Sequence, residues 1–345
     1  HYEQVEWGPI YLASGVTTVR DVGNELNFIR TVRDVIAAGK GIGPRMLLAG
    51  IVDGDSPRAV GVERVATVDQ ALAEVRKYHE AGFQQMKLYS SLSPEMVKAV
   101  ATEAHRMGMT VTGHVPEGVD GFQGVEAGKD QINHISFIRR MMLPPPDSAG
   151  AAPTFDPASP EARRAVSFLK AHGTVVDPTV ALYELLLHPE SEPVADFEPG
   201  VTHVAPELAG PLAHTGVPAA DSAGARERLQ EFLAIIRLLH QAGVPIVAGT
   251  DQAVPGYSLH RELELYHQAG FSPMEAIEAG TSVPAAAMGL SAQVGTVQPG
   301  KRADLLVVEG NPLERFSDLR RVWLVVTEGR RYQPGPLWRS VGFRE

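Results

Sequence analysis

Four residues of this chain carry reactive side chains in one recurring setting: Lys87 in MKLYS, His114 in TVTGHVP, His134 in QINHISF and Asp251 in IVAGTDQ. Each stands at the end of an apolar, β-branched run. Two imidazoles and a carboxylate are a common ligand set for zinc and other borderline divalent ions. Lysine is among the residues least often fully buried, so Lys87, behind a run that enters the interior, needs a reason. Burial lowers a lysine pKa and frees a neutral amine, which can form a Schiff base or capture carbon dioxide as an anionic, two-oxygen carbamate. A solvated lysine at a rim is the third reading. One strand-end histidine alone is more often a satisfied core or rim residue, whereas four such groups together read as a site.

The elements that must position them follow from hydrophobic periodicity. Apolar runs bounded by turn residues predict seven strands, over 15–23, 44–54, 83–90, 108–116, 130–137, 173–181 and 244–252. Between them lie amphipathic helices with clear starts: Thr67 with Gln70, Ser93-Pro94, Ser159-Pro160, and Ser272-Pro273 with Glu275. Strict alternation implies parallel strands with helical crossovers. No Gly-rich phosphate loop follows the first strand, and polar residues cluster after many strands. Both points favour an α/β fold of the (β/α)8 TIM-like barrel type over a doubly wound sheet. The eighth strand is expected before residue 1, with EQVEWGPIYLAS as its crossover helix and the native N-terminus missing. Residues 138–158 and 188–220, rich in Pro, Gly and Ala, are too long for simple connections and are expected to fold over the barrel mouth. After residue 290 short strands joined by turns replace the helices. The expected division is a barrel over 1–290, its first strand largely missing, and the C-terminal part of a small composite β-sandwich domain over 291–345.

Composition narrows the function classes. The chain has 345 residues, a net charge of −10 and basic clusters no longer than pairs such as Arg139–Arg140, which argues against nucleic acid as a partner. No apolar run reaches the roughly 18 residues of a membrane span, so a soluble protein is expected, cytoplasmic or exported. Cysteine is absent, so there are neither disulfides nor thiolate ligands, and any metal must be held by His and carboxylates.

With these motifs in order, from ASGVTTVRDVG through MKLYSS, TGHVPEG, INHISF and GTDQ to GTVQPGKRADLLVVEGNPL, the chain resembles the metal-dependent amidohydrolase superfamily, in its imidazolonepropionase-related and prolidase-like branch. The resemblance implies two divalent metal ions, zinc by preference, bridged by a carbamate on Lys87. It implies that His114 and His134 bind one ion, and that Asp251 binds the other and moves protons. The family also has a His-x-His pair at the end of its first strand. This chain lacks the pair, but His1 stands one crossover helix before GVTTVRDV, where its second member would be. Hydrolysis of a C–N amide bond by metal-activated water is the implied reaction, on a small substrate such as an Xaa-Pro dipeptide or an N-acyl amino acid. Alternatives are a cyclic-amide hydrolase similar to imidazolonepropionase, a mononuclear deaminase, and an inactive fragment or binding protein. Tyr89, Arg139, Arg140 and Tyr183 follow strand ends and could hold a substrate carboxylate, Arg through a bidentate grip. His260, similar to a histidine in many relatives, either lines the site or caps a helix. A homo-oligomer is possible. His79, His105, His172, His240 and His267, near helix C-termini, read as structural.

Overall fold

The computed structural model describes residues 1–145, 153–251 and 254–344. It has parallel strands β1 (Thr18–Asp21), β2 (Arg45–Gly54), β3 (Arg64–Val65), β4 (Gln85–Leu88), β5 (Thr110–Gly113), β6 (Gln131–Asn133) and β7 (Val175–Asp177). β1, β2, β4 and β5 pair in that order, with β3 a short addition beside β2. β6 pairs with β7, and Val176 bridges in parallel to Ile246. Six of the seven expected strands are therefore present, and the seventh is reduced to that bridge. Helices fill the connections, as in a TIM-like barrel. The capped starts match the sequence: Thr67, Ser93, Ser159 and Ser272 each accept a hydrogen bond from a backbone N–H in the first turn.

Strand alternation decides which side chains face the barrel axis. In β4 the outward residues Met86 and Leu88 are wholly buried against the helices, each contributing about 1.5–3 kcal/mol. The inward residues are polar. Arg20 of β1 donates to Gln85 at 3.1 Å, to Gln131, and to Asp177 at 2.9 Å. Asn133 donates to Asp177 at 2.8 Å, and Thr112 to Asn133 at 3.0 Å. Lys87 stands on this inward face, in register with Ile51 and Thr112. Glycine brings β4 and β5 close there: Gly113 has φ 118°, and a Cβ on it would lie 2.2 Å from the Leu88 carbonyl oxygen.

Two expected strands are cut short by chemistry at their ends. The run 130–137 stops at Asn133, because His134 turns the chain with φ 69° into the helix Ile135–Met141. The run 173–181 stops at Asp177, Thr179 (φ 51°) turning it into the helix Val180–Leu187. The apolar residues ISF and VAL therefore begin helices, an ambiguity that short apolar runs cannot resolve.

Residues after 300 form a three-stranded antiparallel sheet, β8 (Leu305–Val308), β9 (Val322–Thr327) and β10 (Arg330–Tyr332), in the order β10-β9-β8. A helix, Pro334–Ser340, follows it. Of the two segments expected over the mouth, 138–158 lies outside the described residues over 146–152. In the segment 188–220, Gly200 sits against Tyr257, whose ring stacks on Trp338, and the segment does not line the cavity described below. Among the described residues no helix is long and apolar enough to cross a membrane.

Candidate active site

The strand-end groups converge. His134 Nε2 lies 3.1 Å from His114 Nε2 and 3.8 Å from Asp251 Oδ2, while Asp251 Oδ1 lies 3.9 Å from His1 Nε2. His1 Nδ1 is hydrogen-bonded to the Gly23 carbonyl, which leaves its Nε2 turned to Asp251. Lys87 is 1% exposed and lines, with His1, His134 and Asp251, a cavity of about 810 Å³ between β1 and residues 247–251. The Tyr89 ring stacks on His114 at 4.1 Å, with Lys87 Nζ 5.3 Å from its centroid. Ser90 Oγ meets His114 Nδ1 at 2.7 Å, and Thr179 Oγ1 meets His134 Nδ1 at 2.8 Å.

The backbone here is held in unfavourable conformations. His134, Thr179 and Asp251 have φ of 69°, 51° and 43°, each costing about 1–3 kcal/mol for a non-glycine residue. Such strain persists where the surroundings over-determine it and concentrates at functional sites.

Burial sets the protonation states. It pushes His114 down to about 2, with nearby Lys87 adding to the shift, and His134 down to about 4 against the opposing pull of Asp251. Both rings are neutral at pH 7. Burial also lowers the Lys87 pKa, Asp251 and Asp177 opposing it. These shifts fix a sign for stability. Above about pH 6.5 the histidines are neutral in folded and unfolded chains alike; below it the unfolded chain takes up protons that the folded one refuses. The two rings' share of stability in the metal-free chain, read as the difference in melting between the wild type and a His114→Gln, His134→Gln double variant, should therefore fall as the pH is lowered from 6.5 to 5.5. A rise over that range would contradict the neutral-ring assignment.

The donor set fits divalent ions. With Nδ1 of both histidines engaged by hydroxyls, the two Nε2 atoms face one another as neutral donors. Two nitrogens about 2.0–2.1 Å from a tetrahedral ion stand about 3.3 Å apart, close to the observed 3.1 Å. Among the described residues Asp251 Oδ1 is buried without a hydrogen-bond partner. Among the described residues Lys87 has the Tyr89 ring beside it but no ion pair. A cation would satisfy the lone pairs and the orphaned oxygen, and a carbamate would turn the amine into a ligand. Among the described residues, however, no group of three or more His, Asp or Glu side chains forms a metal centre as it stands. The side chains gather without a lysine-derived ligand, and the loop after Asp251 lies partly outside the described residues.

The remaining expected residues separate. Arg140 is exposed, its guanidinium 4.4 Å from the Phe137 centroid, and Phe137 lies 5.3 Å from the His114 ring. Tyr89 and Arg140 thus border the histidines. Arg139 does not: it is buried and donates to Glu231 at 2.6 Å, because adjacent helix positions face different ways. Tyr183 donates to Ser136 at 2.6 Å and packs edge-on against Phe232. His260 Nε2 donates to the Ser14 carbonyl at 2.9 Å, which ties its helix to the chain before β1, although the residue also lines the cavity. Arg139→Met should accordingly lower stability by about 1–3 kcal/mol with kcat/KM unchanged. Denaturant melts and steady-state rates would show it, and a rate loss without destabilisation would return Arg139 to the site.

Sequence reasoning missed Ser90 and Thr179, which hold the imidazoles, and Arg20, Asn133 and Asp177 beneath Lys87. The signal available was position: Ser90 and Thr179 follow β4 and β7 by two residues each, at the same end of the barrel as the ligand candidates.

Comparison with known proteins supports the fold and the family. Residues 11–331 match the Amidohydrolase family, whose members generally use divalent metals. The ochratoxinase of Aspergillus niger is 25% identical over 228 residues, covering 66% of this chain and 38% of the ochratoxinase. The match therefore spans less than half the length of that curated relative. An Xaa-Pro dipeptidase solved with methionine bound superposes with a TM-score of 0.69 at 23% identity, over 95% of this chain and 78% of that one. Bottromycin amidohydrolase gives a TM-score of 0.75 at 19% identity, over 100% and 78%. At such identities these two structures speak for the fold, while the match across nearly all of the barrel speaks for the family. The chain belongs to the Amidohydrolase family.

Proposed function

We propose that this protein hydrolyses a C–N amide bond in a small substrate bearing a free carboxylate, an Xaa-Pro dipeptide or an N-acyl amino acid. The convergence of Lys87, His114, His134 and Asp251 at neighbouring strand ends carries the reading. Lys87, as a carbamate, would be shared by two divalent ions, zinc by preference; His114 and His134 would hold one, and His1 and Asp251 the other. Ions bound there would supply Lewis-acid polarisation of the scissile carbonyl and a lowered pKa for water.

The protein's own residues do the rest. Asp251 Oδ1, buried and without a hydrogen-bond partner among the described residues, takes the proton of the attacking water and returns it to the departing amine, serving as base and then as acid. The bond to nitrogen breaks as the bond to oxygen forms, and the single proton carried by Asp251 balances the step. Lys87 lies 1% exposed beneath the reacting centre, which keeps bulk water from that side. Arg140, beside Phe137 at the edge of the histidine pair, is placed to meet the substrate carboxylate.

The test is a panel of Xaa-Pro dipeptides, N-acyl amino acids, their C-terminal amides and the lactam of imidazolonepropionate, run on metal-loaded protein. Turnover of the free acids is expected. Arg140→Met should reduce their kcat/KM about ten- to a hundred-fold, the cost of one charge-assisted hydrogen bond, without changing metal content. Equal rates on the amides, or turnover of the lactam alone, would overturn the carboxylate requirement and point to cyclic-amide hydrolysis.

A further inference from the structure

Two wholly buried carboxylates outside the site share one unusual arrangement. Asp53, at the end of β2, is 0% exposed and accepts hydrogen bonds from the backbone N–H groups of Gly54 (2.9 Å), Ser91 (2.8 Å), Val60 and Gly61 (both 3.1 Å). Glu262, on the helix Tyr257–Gln268, is also 0% exposed and accepts from the N–H groups of Val180 (3.0 Å) and Ala181 (2.6 Å). Burying a carboxylate is costly unless donors surround it. In both cases the donors include the N–H directly after a hydroxyl residue: Ser91 follows Ser90, and Val180 follows Thr179. Those hydroxyls are the partners of His114 Nδ1 and His134 Nδ1. Thr179 is also held at φ 51°, a conformation that a β-branched residue adopts only when its neighbours are fixed.

We propose that Asp53 and Glu262 are positioning residues: each clamps the peptide after Ser90 or Thr179, so that the hydroxyl holds one imidazole with its Nε2 turned into the site. The inference rests on the reading of His114 and His134 as metal ligands. Each carboxylate acts through the hydroxyl residue, never on substrate. Groups that hold the second nitrogen of a ligating histidine typically contribute 10- to 100-fold in metal affinity.

The experiment is a double-mutant cycle of Glu262→Gln against Thr179→Val in the full chain, read as zinc affinity by chelator competition. Each single change should weaken zinc binding about 10- to 100-fold, and the double variant should be no weaker than the worse single. A simple packing defect would instead give additive losses, and additivity, or unchanged affinity in folded Glu262→Gln, overturns the proposal. Should Glu262→Gln not fold, Glu262→Asp, which keeps the carboxyl group but withdraws it from the two N–H groups, decides by the same criteria. Absence of zinc binding by the wild-type chain would instead overturn the metal reading under Proposed function. The His134 ring in crystals of the metal-free Glu262→Gln chain would then decide this proposal. A ring turned away from Thr179 upholds it, and a ring still 2.8 Å from the hydroxyl overturns it.

Discussion

Lys87→Ala should remove amide hydrolysis almost completely, by on the order of 10³-fold or more in kcat/KM, equivalent to about 4 kcal/mol of transition-state stabilisation. The expectation comes from the place of this side chain: 1% exposed, on the inward face of β4, without an ion pair among the described residues. An unmodified ammonium would repel the divalent ions this site is proposed to hold, whereas a carbamate would join them. Short carboxylates added to Lys87→Ala should restore part of the rate, because they can stand where the carbamate stood. Burying an amine is itself unfavourable, so the metal-free variant should melt no lower than the metal-free wild type. Loss of activity with loss of folding, and no rescue, would make Lys87 a structural residue. Borohydride trapping of substrate on Lys87 would replace hydrolysis with Schiff-base chemistry.

Asp251→Asn should lower kcat by about 10²- to 10⁴-fold, the range of a positioned proton carrier. Asparagine tolerates the left-handed conformation at φ 43° nearly as well as aspartate, so the backbone should keep its course and the effect should report chemistry. A variant that retains kcat within a few-fold would assign the proton transfers elsewhere. His1, 3.9 Å from Asp251 Oδ1, is the neighbour to examine then.

That these four candidate residues come together was legible because strand ends converge in a barrel whatever their separation in sequence. Lys87, His114, His134 and Asp251 lie across 165 positions, 251 − 87 + 1, yet each closes an apolar run. Alternation also explains the buried lysine: Gln85 and Lys87 share one face of β4 with Arg20, Gln131 and Asp177, while Met86 and Leu88 share the other. Less legible was anything that depended on where a helix face points. Arg139 and Arg140 are indistinguishable as a sequence pair, but one is buried against Glu231 and the other borders Phe137. Tyr183 likewise spends its hydroxyl on Ser136. The Pro-rich segment 188–220 reads as a lid by composition, but its seat of Gly200 on Tyr257 is a contact fixed only by tertiary packing. Asp53 and Glu262 carried no signal, since a carboxylate that binds backbone N–H groups has no sequence motif.

The most direct test of the central claim is metal content measured together with the intact mass of native protein. Elemental analysis should give about two zinc or other divalent ions per chain, and native mass spectrometry should show one carbon dioxide adduct that disappears in Lys87→Ala. One ion per chain, or two ions beside an unmodified lysine, would contradict the bridged pair and leave a mononuclear centre as the account of this site.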